Sequence, residues 1–283
     1  MSKKKVAIVI DSTANLPDGV VQKYDIHVVP QIVNWDGRSM LDGVELHAAE
    51  FYEKLPTTKS SPTTSQPSAG EFLEHFKKVA ETADSIVGIF ISEYLSGTLS
   101  SARTAKEMMG DYPLEIVDSR SASMGLGLIA IAAAQAATDG KDYKEVAAIA
   151  RALVPKTRVM FVVDTLEYLH RGGRIGGAQR LIGSMLSVKP LLHLEDGKIE
   201  PLASVRTKKK ALRHMLDLIQ QELAGKSGAH TAVLHAVASV EAQDIADQLQ
   251  ASVNPVELLI GELSPVIGTH VGPGTLGVAF YAD

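Results

Sequence analysis

The sequence has 283 residues, 45% hydrophobic and 22% charged, enough apolar material for a large core without metals or cross-links. It contains no cysteine, which excludes disulfides, thiolate metal sites and cysteine nucleophiles. A formal net charge of −5 argues against a nucleic-acid partner, which calls for a net basic domain or stripe.

The first apolar run, Val6–Ile10, follows Met1-Ser2-Lys3-Lys4-Lys5 and is too short for the core of a signal peptide. It reads as a strand. Ile26–Val33, Ile86–Ser92 and Leu114–Val117 read as further strands. Helical patterns fall between them near Val20–Tyr24, Ala48–Leu55, Ala69–Ala83 and Leu99–Met109. Strands alternating with helices in this way predict a parallel sheet covered by helices. Trp35-Asp36-Gly37-Arg38 predicts a hairpin turn appended to that sheet.

Ser123–Ala137 and Tyr143–Leu153 then read as two helices, the second ended by Pro155. Met124–Ala137 is the longest apolar stretch, too short to span a bilayer and suited to a buried helix. The expectation is a cytoplasmic protein. A domain boundary is expected here, giving an N-terminal α/β domain over residues 1–155 and a second domain over 156–283.

The second half opens with a strand at Val159–Val163. A glycine-rich loop, Arg171 to Gly177, leads into a helix expected to reach about Ser187. Leu191–Leu194 and Ile199–Val205 flank Asp196-Gly197, a strong two-residue hairpin signal. A helix is expected at Lys208–Glu222 and another at Val240–Leu249. Strands are expected at His230–Val237, Pro255–Ile260 and Leu276–Tyr281. The hairpin among these strands predicts a mixed-sheet, α/β or α+β, second domain.

Two segments rich in small hydroxyl residues read as loops in the first half. One is Ser60–Ser68. The other is Ser96-Gly97-Thr98, which follows a strand and opens a helix. The first N–H groups of a helix lack internal partners and attract anions. Gly97 allows close approach to the backbone, and Ser96 and Thr98 add hydroxyls. The same residues also serve as ordinary helix caps. Their place after strands of one sheet favours a ligand site, because α/β ligands sit outside the carboxyl ends of strands.

Asp11 at the end of the first strand could be catalytic or metal-binding, and more naturally orders its turn by accepting backbone N–H groups. Asp118 invites the same reading. Arg174, in Arg171-Gly172-Gly173-Arg174, suits bidentate recognition of a carboxylate or phosphate, or simply covers a helix start. His270, flanked by Gly268, Gly272 and Gly274, reads as a loop histidine able to donate to such a group. There is no Walker A sequence, no His-Glu-x-x-His and no Gly-x-Ser-x-Gly. Gly125-Leu126-Gly127 loosely matches a dinucleotide fingerprint but lies within a helical pattern. The basic run Arg206–Lys210 reads as a solvated helix start or a docking face.

In chain order, Asp11–Pro17, Thr64–Ser68, Ser96-Gly97-Thr98 with Ser101-Ala102, Asp118-Ser119, Thr165–Leu169, Arg171–Ile175, Lys189-Pro190 and Ile267–Gly274 together resemble the DegV family of bacterial lipid-binding proteins. The resemblance runs from residue 11 to residue 277. One departure is Leu99, where an aromatic or long polar residue often follows the Ser-Gly-Thr motif.

The resemblance implies two α/β domains with a fatty acid buried between them, and no cofactor, metal or catalytic residue. Some members are the FakB subunits of fatty acid kinase. These present a bound carboxylate to an ATP-using subunit, FakA, which makes an acyl phosphate for phospholipid synthesis. By that resemblance Thr64, Ser96, Gly97 and His270 hold the carboxylate, and Arg174 faces the head group or the kinase. The partners implied are a long-chain fatty acid and a FakA-like kinase, with transient membrane contact allowed. The alternatives from the residues alone are an autonomous phosphotransferase or hydrolase using Asp11, Ser96 or His270, and a lipid-sensing regulator.

Overall fold

A computed structural model of the protein describes residues 4–184 and 189–282. Strand β1 (Ala7–Asp11) is apolar on both faces and buried throughout, as a central parallel strand must be. After α1 (Asp18–Tyr24) comes β2 (His27–Val29). The single strand expected at Ile26–Val33 is in fact two. Pro30, which cannot donate to a ladder, separates β2 from β3 (Ile32–Trp35), and the two belong to different sheets. The turn at Asp36-Gly37 joins β3 to β4 (Arg38–Leu41) as expected.

Helix α2 (Ala48–Lys54) leads to β5 (Thr63–Ser65), which pairs antiparallel with β3. The Ser60–Ser68 segment is therefore not wholly loop, and Thr64 is a strand residue. Helix α3 (Ala69–Ala80) is held at its start by a capping box between Ser68 and Glu71. It is followed by β6 (Ile86–Phe90), α4 (Thr98–Met108) and β7 (Leu114–Asp118). The parallel sheet has the order β2-β1-β6-β7. Its odd and even residues face opposite ways. Val9, Ile86 and Phe90 pack under α3 and α4, whereas Ile8, Ile10 and Ile89 pack under the next two helices.

Those are α5 (Met124–Thr138) and α6 (Tyr143–Leu153). Nearly every residue of α5 is buried, the condition of a helix that is apolar all round. It lies between two sheets, with Leu126 and Ile129 toward the parallel sheet and Met124 and Leu128 in the cluster against the second. The loose dinucleotide fingerprint is part of this helix.

The second sheet begins with β8 (Arg158–Val162). Helix α7 (Glu167–Arg171) follows, where no element was expected, and then a 3-10 helix over Gly176–Ser184. The helix expected to reach about Ser187 is thus 3-10 as far as Ser184, and its expected end lies outside the described residues. Strands β9 (Lys189–Glu195) and β10 (Lys198–Val205) form the hairpin signalled by Asp196-Gly197. Then come α8 (Lys208–Leu223), β11 (His230–His235), α9 (Ser239–Ser252) and β12 (Glu257–Glu262). The last elements are α10 (Pro265–Val271) and β13 (Leu276–Tyr281).

The mixed sheet has the order β10-β9-β8-β13-β11-β12, with only β11 and β12 parallel neighbours. Met160, Val162, Val233 and Val278 face α8 and α9. The alternate residues Val159, Phe161, Leu234 and Ala279 face inward, toward α5, α2 and α10. The architecture is α/β, with a parallel-sheet part, a small antiparallel hairpin sheet and a mixed-sheet part.

Candidate functional site

The inward face of the mixed sheet forms the wall of a pocket. Phe161, Gly277 and Leu234 stand opposite one another across β8, β13 and β11, and Leu194 stands opposite Ile199 across the β9–β10 hairpin. Gly277 is a requirement of this row, because a Cβ there would lie 2.8 Å from the Cβ of Phe161. Ile91, Leu95, Leu169, Leu263, Val266 and Val271 add to the apolar lining, and the empty space, its open mouth included, is about 890 Å³. An apolar lining with a few convergent polar groups is the character of a small-molecule site.

Polar groups converge where the pocket meets four other elements, β5, α10, α7 and α4. Thr64 on β5 bonds His270 on α10, with 2.8 Å between Oγ1 and Nε2. Arg174, just past α7, donates its Nε–H to the carbonyl of Leu95 at 3.2 Å and an Nη1–H to that of Gly172 at 2.5 Å. Both acceptors are neutral, so neither compensates the guanidinium charge. Ser96 follows Leu95, and Gly97 is the N-cap of α4. A Cβ on Gly97 would meet the Gln66 side chain at 2.7 Å, which ties the start of α4 to the end of β5. Thr64, Ser96, His270 and Arg174 all line the pocket, whereas Gly97, next to Ser96, is exposed and is not part of the lining. Those four expected residues are therefore brought together, although Thr64 and His270 are 206 residues apart.

His270 is not on a loop as expected. It occupies the last turn of α10, which ends at Gly272 with φ +74°. Its ring is packed so tightly on the chain that a Cβ at Gly172 would lie 2.2 Å from Nδ1. That Nδ1 is buried with no hydrogen-bond partner. Burial, and secondarily the Arg174 charge, push the imidazole down to about 4. It is therefore neutral at pH 7. An unpartnered acceptor is easier to bury than an unpartnered donor, so the proton belongs on Nε2. The ring then donates to Thr64, whose own hydroxyl hydrogen is left for a ligand.

This depression has a pH signature. Between the ordinary value of about 6.5 and about 4, the unfolded chain binds a proton at this position that the folded protein does not. Stability of the unliganded protein therefore falls as pH drops through that window, by about 3 kcal/mol in all. Chemical denaturation between pH 7 and pH 4 should show a shallower decline for His270→Gln than for the wild type.

Asp11 is fully buried beneath the site. It accepts the N–H of Thr13 at 3.0 Å, the hydroxyl of Thr13 and the N–H of Ile91 at 2.8 Å. This is the loop-ordering role, and it fixes the turn after β1 to the end of β6. Asp118 accepts the N–H of Arg120 at 2.8 Å in the same manner. Arg171 points elsewhere, to Ser61 and Glu167. Thr13, Gln31 and Ser123 also line the pocket. The sequence reading missed them, since a lone Thr, Gln or Ser between elements carries no distinguishing pattern.

Comparisons with known proteins agree with this architecture along its whole length. A DegV domain-containing protein of Streptomyces coelicolor is 41% identical over 277 residues, covering 97% of this chain and 98% of that one. A solved structure described as fatty acid binding of a DegV family protein from Thermus thermophilus superposes with a TM-score of 0.94 at 34% identity, covering 99% of this chain and 100% of that one. That of DegV from Bacillus subtilis, described as a fatty acid binding protein, has a TM-score of 0.91 at 32% identity, with 99% and 100% covered. The family model described as "Uncharacterised protein, DegV family" matches residues 5–283. With the family model matched over residues 5–283 and these relatives covered almost end to end, the chain belongs to the DegV family.

Proposed function

We propose that the protein carries a long-chain fatty acid and presents its carboxylate to an ATP-dependent kinase subunit, which forms the acyl phosphate. The observation that carries this reading is an apolar pocket that ends on converging hydroxyls, a neutral histidine and an arginine. A chain of about 16 carbons gains roughly 12 kcal/mol on burial at about 0.8 kcal/mol per methylene, less the costs of ordering. The carboxylate needs compensation to follow it inside. The hydroxyls of Thr64 and Ser96, the N–H of Gly97 and the positive end of α4 offer it, with His270 orienting Thr64. Arg174 adds the nearby positive charge. Gly97 is exposed, so the head group lies where a kinase can reach it.

The same geometry disfavours an autonomous hydrolase or phosphotransferase. His270 faces Thr64, while the Ser96 hydroxyl is paired with Thr98 at 2.8 Å. Among the described residues no base is paired with Ser96, and a histidine pushed down to about 4 is a poor one for Thr64. Lipid extraction from natively purified protein, read by mass spectrometry, should give about one fatty acid per chain. Folded protein that is lipid-free and takes up no added fatty acid overturns the carrier. The kinase step is tested by adding ATP and a fatty acid kinase catalytic subunit, with acyl phosphate formed only when both proteins are present.

A further inference from the structure

We infer that Gln31 and Thr98 act as positioning residues that fix the Ser96 hydroxyl as a hydrogen-bond donor, so that the site selects a carboxylate over an uncharged alcohol head group. The inference rests on the carrier reading above. Gln31 occupies the break between β2 and β3, where Pro30 ends one ladder before the next begins. It is buried, and its Nε2 donates to Thr98 Oγ1 at 2.8 Å. Gln31 also favours the ionised form of the buried Asp11 carboxyl, the weakest of the contacts that do so.

The direction of the remaining bonds follows from counting hydrogens. Thr98 is fully buried and has one hydroxyl hydrogen. Its oxygen already accepts from Gln31. The Ser96 Oγ lies 2.8 Å from it and also accepts the Thr98 N–H at 3.3 Å. If Ser96 donated to Thr98, the Thr98 hydrogen would be left buried without an acceptor, which is costly. If Thr98 donates to Ser96, both Ser96 lone pairs are filled, and its hydrogen can only point into the pocket. That hydrogen suits an acceptor-only anion. With the Thr64 hydroxyl oriented by His270, the site offers two donors from opposite sides.

The test compares palmitate with hexadecan-1-ol, each displacing a fluorescent acyl probe from delipidated protein. The wild type should bind palmitate more tightly than the alcohol. Thr98→Val should weaken palmitate about tenfold while leaving the alcohol unchanged, and Thr98→Ser should keep the wild-type ratio. Gln31→Glu places an acceptor where a donor stood, reverses the relay, and should cost palmitate about a hundredfold while sparing the alcohol. Should that variant fail to fold beside Asp11, the Thr98 pair decides alone. Equal losses for both ligands in Thr98→Val, or a Thr98→Ser variant that behaves like Thr98→Val, overturn the inference while leaving the carrier intact. A folded wild type that binds neither ligand overturns the carrier reading itself, and the inference with it.

Discussion

A Thr64→Val, Ser96→Ala double variant should lose fatty acid affinity by roughly a hundredfold to ten-thousandfold. Each hydroxyl removed is one hydrogen bond to a charged group, about 1.5–3 kcal/mol. The two sit on separate elements, β5 and the entrance to α4, so neither can be replaced by a small shift of the other. They share one ligand group, however, so the carboxylate can re-centre on the surviving hydroxyl, and each single variant should cost less than half the combined effect. Titration of a fluorescent acyl probe against the two single variants and the double variant measures this coupling. The apolar wall is untouched, so the pocket itself should persist. Unchanged affinity in a folded double variant would place the carboxylate elsewhere.

Asp11→Ala acts on the frame beneath the site. It orphans the N–H groups of Thr13 and Ile91 and the Thr13 hydroxyl in a region closed to water. Each buried donor left without an acceptor costs about 1–3 kcal/mol. Burial pushes the Asp11 carboxyl above its ordinary range, so part of that cost is offset when the group is removed. A net loss of about 3 kcal/mol is expected, which lowers Tm by roughly 6 to 12 °C in a chain of this size. Asp11→Asn should lose less, because it keeps one acceptor oxygen. Thermal unfolding of the three proteins after delipidation separates this effect from ligand stabilisation. A nearly unchanged Tm for Asp11→Ala would mean that the turn after β1 is held by other contacts.

Much of the fold is legible because local signals and tertiary packing agree. The apolar runs of β1 and β6 are buried on both faces, and the Asp196-Gly197 turn marks its hairpin locally. The misreadings occur where distant packing decides. Ile26–Val33 is continuously β-prone, and only the two sheets it serves reveal the break at Pro30. Thr63–Ser65 becomes a strand because β3 offers it an edge. The glycines around His270 suggest a loop, yet Gly268 lies within α10, where a Cβ would meet the Tyr52 hydroxyl at 2.5 Å. Its smallness serves close packing there, not a turn. Thr64, Ser96, Arg174 and His270, which line the pocket, were named by motif, whereas Gln31 was not, since its bond is to a partner 67 residues away.

The order of strands in the mixed sheet carries a consequence for synthesis. β13 comes last in the chain among the described strands, yet it lies between β8 and β11 and is hydrogen-bonded to both. Until it has been made, those two strands have facing edges with nothing between them, and Phe161 and Leu234 have no floor at Gly277. An emerging chain thus holds open β edges and uncovered apolar surface until β13 has left the ribosome, a state exposed to aggregation. Closure by β13 finishes the sheet and the pocket wall in one event, so the pocket cannot form before the fold is complete.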